Sequence, residues 1–200
     1  DKEFDDVQKD YADKGDQETE EFAVDIETSW RFEGAYNYAF KGKWGKSTSN
    51  PNAEGLDPKL TSICMIQVGD KDTCFVVDAR DYGVEWIKTY LEDDTKLKIG
   101  QNLKFEYKHF KEHGIILENM YDTMIAEKVL YTGKMLDWSL KGLIARYLDI
   151  HVDKSTRLEF ALIGDKPFTY TQIIYGAEDI SYPARIMETQ RIDLKSKGVD

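Results

Sequence analysis

Asp25-Ile26-Glu27 sets two carboxylates two residues apart in the apolar run Phe22–Thr28. On a strand, positions i and i+2 share a face and stand roughly 7 Å apart along it. Phe22, Val24 and Ile26 take the other face, which favours a central strand. Two acids facing one way on a buried strand repel each other unless a cation joins them. The competing reading is a half-exposed edge strand with two solvated acids.

Two further features carry acids. In Gly100-Gln101-Asn102-Leu103-Lys104-Phe105-Glu106 a strand ends at glycine and a helix follows, with Glu106 in its first turn. An acid there is commonplace, because the helix dipole favours it. In Tyr175-Gly176-Ala177-Glu178-Asp179 the tyrosine and the final aspartate are i, i+4 and share one helical face. A hydroxyl above a carboxylate can hold a water between them. Taken singly, each is more often ordinary core plus surface.

The elements that must position these groups follow from periodicity and punctuation. Thr61–Val68 and Thr73–Val77 are β-type runs joined by Gly69-Asp70-Lys71-Asp72, a hairpin. Residues 82–91 are expected to be helical, 96–99 a strand and 102–113 a helix closed by Gly114. Asp122 is expected to cap a helix to about Tyr131, and Ser139 another, with Leu140, Leu143, Ile144, Tyr147 and Leu148 on its apolar face. Residues 149–170 read as irregular. Thr171 is expected to open a last helix that Pro183 bends or interrupts. This alternation predicts an α/β fold with a ribonuclease H-like mixed five-stranded sheet flanked by helices.

Of 200 residues, 41% are hydrophobic and 12% aromatic, enough for a core. No apolar run is long enough for a membrane span. Cys64 and Cys74 are too few for a disulfide framework or a zinc site. A cytoplasmic setting is expected. The formal net charge of −11 argues against a generic phosphate-coating protein. Residues 1–21 carry −7 of it and the remainder −4, so residues 1–21 read as an acidic arm. Residues 22–183 form the domain, with a loop-rich insertion at 29–60, and 184–200 a helical connector.

Asp-x-Glu on a first strand, Asn-x-x-Phe-acid after a later strand and Tyr-x-x-x-Asp near the end, in that order, resemble the DEDD 3′–5′ exonuclease superfamily. The tyrosine resembles its DEDDy branch. The likeness covers residues 22–183 and is closest to the proofreading domain of family A DNA polymerases. It implies a catalytic set of Asp25, Glu27, Glu106, Tyr175 and Asp179. It further implies two divalent cations, Mg²⁺ or Mn²⁺, held by Asp25, Glu27, Glu106 and Asp179. Asp25 would bridge the ions, Glu106 would support the second, and Tyr175 would orient the attacking water. Two such ions supply what phosphodiester hydrolysis needs, and oxygen-only ligands suit Mg²⁺ or Mn²⁺ over zinc. The family has Asp where this chain has Glu106, one methylene longer. Thr28, Asn102 and Phe105 become candidate substrate contacts.

Lys43 and Trp44, in Lys41-Gly42-Lys43-Trp44-Gly45-Lys46, are candidates for gripping a strand by phosphate contact and stacking. A solvated loop with one tucked tryptophan is the alternative. His109, His113 and His151 share no motif with the acids and are expected at the surface. The expected activity is 3′–5′ exonucleolysis at single-stranded DNA 3′ ends, with a polymerase domain in cis or in trans and no membrane partner. The alternatives are a ribonuclease D-like RNA-trimming enzyme and a catalytically weak nucleic-acid-binding module.

Overall fold

A computed structural model describes residues 21–31, 57–152 and 157–199. Most of the acidic arm and Lys43 and Trp44 lie outside the described residues. The elements run β1 (Glu21–Trp30), β2 (Thr61–Gly69), β3 (Cys74–Asp78), α1 (Ala79–Tyr82), α2 (Lys88–Leu91), β4 (Leu97–Gly100), α3 (Lys104–Glu112), β5 (Met120–Asp122), α4 (Thr123–Leu130), α5 (Leu140–Leu148), α6 (Arg157–Phe160) and α7 (Tyr170–Ser196).

Among the described residues the strands form one five-stranded sheet in the order β3-β2-β1-β4-β5. β1 pairs antiparallel with β2 and parallel with β4. β1 is therefore central, as its apolar face requires. One sheet face buries Phe22, Val24, Ile26, Ile66 and Val68 against Ile87, Leu91, Leu103 and Phe110. The other buries Ala23 and Ile99 under Ile180, Ala184 and Met187 of α7. Asp25 follows Ala23 by two residues, so it faces α7. The β2–β3 hairpin forms where expected. The Asp70 carboxylate closes its turn by accepting from the amides of Asp72 and Thr73 at 2.8 and 2.7 Å.

The structure differs from the sequence reading in four elements. Residues 82–91 are not one helix: Gly83, at φ +71°, ends α1, and a 3₁₀ turn at Glu85–Ile87 precedes α2. β5 is a three-residue edge strand, too short to show a period. α6 interrupts the stretch read as irregular. α7 starts after Thr169, which forms a capping box with Gln172, not at Thr171. It runs through Pro183 without a break. Pro183 has no N–H, so the i−4 carbonyl it leaves without a helical donor is that of Asp179.

Candidate active site

Asp25 and Glu27 share the α7-facing side of β1, and Asp179 comes down on them from α7. Ligand oxygens of these three all lie within 4.8 Å of one another. The Glu27 and Asp179 residues are buried. Three carboxylates this close repel strongly, and only oxygen donors are offered. Such a set fits a hard divalent cation. Tyr175, one turn before Asp179, is buried too, its ring 5.9 Å from that of Phe160. Its backbone and ring are therefore fixed by packing.

Glu106 stands outside the three-acid group but touches it. Burial, and then the charge of Asp25, with which it shares a hydrogen bond, push its carboxyl well above the usual carboxylate range. Its Oε2 has no hydrogen-bond partner among the described residues. Glu106, in the first turn of α3, thus lies beside Asp25 of β1.

Asp122 fixes the turn that leads into α3. Its Oδ1 and Oδ2 accept from the amides of Asn102 and Leu103, both at 2.9 Å. The same carboxylate caps α4 through the amides of Met124 and Ile125. Asn102 takes the left-handed conformation, φ +63°, which asparagine tolerates better than most residues. One side chain thus sets both the turn into α3 and the start of α4. Asp122→Ala is expected to cost about 2–3 kcal/mol, a lost cap plus two lost charge-assisted bonds. Asp122→Asn should cost less than half of that. Thermal melts of the two variants check the expectation; equal losses would sink it.

An open cleft of about 760 Å³ runs from the acids toward α4 and α5. It is lined by Asp25, Glu27, Glu106, Tyr175 and Asp179, and also by Asn102 and Phe105. Thr28 is not in the lining. β2 carries an extra residue, Cys64, opposite the Glu27–Thr28 step, and such a bulge re-aims the side chains beyond it. The Cys64 thiol donates to the Glu27 carbonyl at 3.3 Å and is pushed up to about 12 by burial. It is a packing residue.

The far wall holds residues the sequence reading missed: Met124, Lys128, Leu136, Trp138 and Lys141. The Gln101 amide donates to the Trp138 carbonyl at 2.8 Å and accepts from the Thr123 hydroxyl, tying this wall to the end of β4. A tryptophan directly before the Ser139 cap was the available signal. His109 also corrects the reading. It is buried, with Nδ1 2.9 Å from the Phe105 carbonyl and Nε2 3.0 Å from the Thr61 hydroxyl. Its ring lies on Phe105 at 4.4 Å, because i and i+4 stack on one helical face. His113 and His151 are exposed as expected.

The model of the 3′–5′ exonuclease family matches residues 53–192. A ribonuclease D of Granulibacter bethesdensis is 26% identical over 139 residues, 68% of this chain and 34% of its own. A DNA polymerase I of Aquifex aeolicus is 27% identical over 128 residues, 62% of this chain and 21% of its own. The chain thus spans about a third or less of these relatives. The structure of Brucella melitensis NrnC has the same fold, with a TM-score of 0.68 and 20% identity, covering 91% of this chain and 77% of that one. Further structures of that protein carry Mg²⁺ or pGG. With the matched segment holding Glu106, Tyr175 and Asp179, and the sheet supplying Asp25 and Glu27 beside them, the chain belongs to the 3′–5′ exonuclease family of the DEDD superfamily.

Proposed function

We propose that this domain removes nucleotides from single-stranded RNA 3′ ends, using Asp25, Glu27, Glu106, Tyr175 and Asp179. The observation that carries the site is the group of three carboxylates within 4.8 Å at the head of the cleft. Divalent cations bound there supply charge neutralisation of the phosphate and a lower pKa for the attacking water. Asp25, grouped with Glu27 and Asp179 and hydrogen-bonded to Glu106, is the carboxylate suited to serve two ions. The Tyr175 hydroxyl orients the water. Mg²⁺ or Mn²⁺ is the expected ion, and Mg²⁺ is bound in one NrnC structure. Asn102 and Phe105 contact the terminal nucleotide. Trp138 offers a stacking surface for the next base, and Lys128 and Lys141 offer charge to its phosphate. These two lysines are the cations of the lining, which is how an acidic chain can hold an anionic strand.

RNA is placed before DNA because of the relatives. Two curated ones are named ribonuclease D, and one neighbouring structure, from Trypanosoma brucei, is an RNase D complex with RNA U12. DNA proofreading, the first expectation from sequence, is the second reading, favoured by the polymerase relative. One experiment separates them. RNA and DNA oligonucleotides of one sequence, each labelled at the 5′ end, are incubated with the protein and Mg²⁺. A ladder of shortening products is expected from both, with RNA cut at least ~10-fold faster, a barrier difference of ~1.4 kcal/mol. DNA cut as fast or faster returns the reading to proofreading. Chelation of the divalent ion should stop both reactions.

A further inference from the structure

Gln67 is fully buried, and neither atom of its carboxamide has a hydrogen-bond partner among the described residues. A buried amide without partners costs free energy that an apolar side chain of the same length would not. Its place in the fold gives the reason for keeping it. Gln67 lies on β2 directly opposite Asp25. On its other side it meets α7: a Cβ added to Gly176 would sit 2.7 Å from Gln67 Nε2 and 3.0 Å from its Cγ. The turn of α7 between Tyr175 and Asp179 therefore rests on this side chain, and only a glycine at 176 lets it approach so closely.

We propose that Gln67 is a positioning residue for the active site: its buried amide is seated between the strand that carries Asp25 and the turn that carries Tyr175 and Asp179. An amide offers two donors and an acceptor. Side chains directly opposite on antiparallel strands have Cβ atoms ~4.5–5.5 Å apart, so the Asp25 carboxylate is within reach of a side-chain rotation. Gln67 does not line the cleft, so its role is not substrate contact. Its effect is to fix the spacing of the carboxylates contributed by two separate elements. The proposal rests on the exonuclease reading of the cleft.

Gln67→Met tests it, because methionine keeps the length and loses the amide. Three quantities are measured on the whole chain: the metal-free melting temperature, the Mn²⁺ concentration giving half the thermal shift, and kcat and KM on a 5′-labelled single-stranded oligonucleotide. The melting temperature should hold or rise. The Mn²⁺ midpoint should rise, or kcat fall, about 10–100-fold, the size seen when a group supporting metal ligands is removed. KM should stay within about twofold, since no substrate contact is lost. Unchanged kcat and Mn²⁺ midpoint would overturn the proposal. So would a drop in melting temperature with both of these unchanged, which makes Gln67 a packing group. If Gln67→Met does not fold, Gln67→Asn, one methylene short, is read the same way: a raised midpoint supports the proposal and an ordinary one overturns it. Natural protein that shifts with Mn²⁺ but cuts nothing would count against the exonuclease reading instead, and the midpoint comparison would still decide the role of Gln67.

Discussion

Asp25→Ala is expected to lose cleavage by at least ~10³-fold, about 4 kcal/mol of transition-state stabilisation, while the fold survives. Asp25 is grouped with Glu27 and Asp179 and also hydrogen-bonds Glu106. The carboxylates repel each other without cations, so removing one should hold or raise the metal-free melting temperature. The thermal shift induced by Mn²⁺ should shrink in parallel with the rate. Retention of more than about a tenth of the natural rate, a loss under ~1.4 kcal/mol, would mean that Asp25 is not the shared ligand.

The second large effect is on stability, away from the acids. Glu127 is fully buried at the junction of α4, α5 and α7. Its carboxylate accepts from Arg146 and from the Tyr147 hydroxyl. The Gln190 amide also donates to it, at 2.9 Å, and bonds the Thr123 carbonyl at 3.0 Å. Burial and the Glu127 carboxylate together push the Tyr147 phenol far above its ordinary range. Glu127→Ala strands three donors at once, one of them charged. A buried pair broken on one side costs ~3–5 kcal/mol, and each kcal/mol moves the melting point of a chain this size by roughly 2–4 °C. A fall of about 10 °C is expected. Glu127→Gln keeps two acceptor lone pairs and should fall less than half as far. Equal melting temperatures for natural protein and Glu127→Ala would show that the junction stands without this network.

Much of this molecule was legible in local chemistry. The alternation of Phe22, Val24 and Ile26 with Asp25 and Glu27 determined a central strand with two acids on one face, because period two is a property of the backbone alone. The Asp122 and Ser139 caps and the Gly69–Asp72 turn were readable for the same reason: each satisfies backbone groups within a few residues. The i, i+4 step placed Tyr175 above Asp179. What the sequence could not supply is what depends on distant segments meeting. His109 is buried because Thr61, 48 residues away, meets its ring, which no spacing announces. Trp138 joins the cleft where Gln101 pins its loop across 37 residues, and Lys128 and Lys141 come to the same cleft from α4 and α5. Glu106 reaches Asp25 only once α3 and β1, far apart in the chain, have met. Gln67, an ordinary polar position in a strand pattern, becomes a buried amide under Gly176 once α7 docks. Backbone periodicity and capping act over a few residues and are written in order along the chain. Desolvation and carboxylate–carboxylate repulsion depend on three-dimensional neighbours, so the electrostatics of the site exist only after the sheet and α7 have closed on each other.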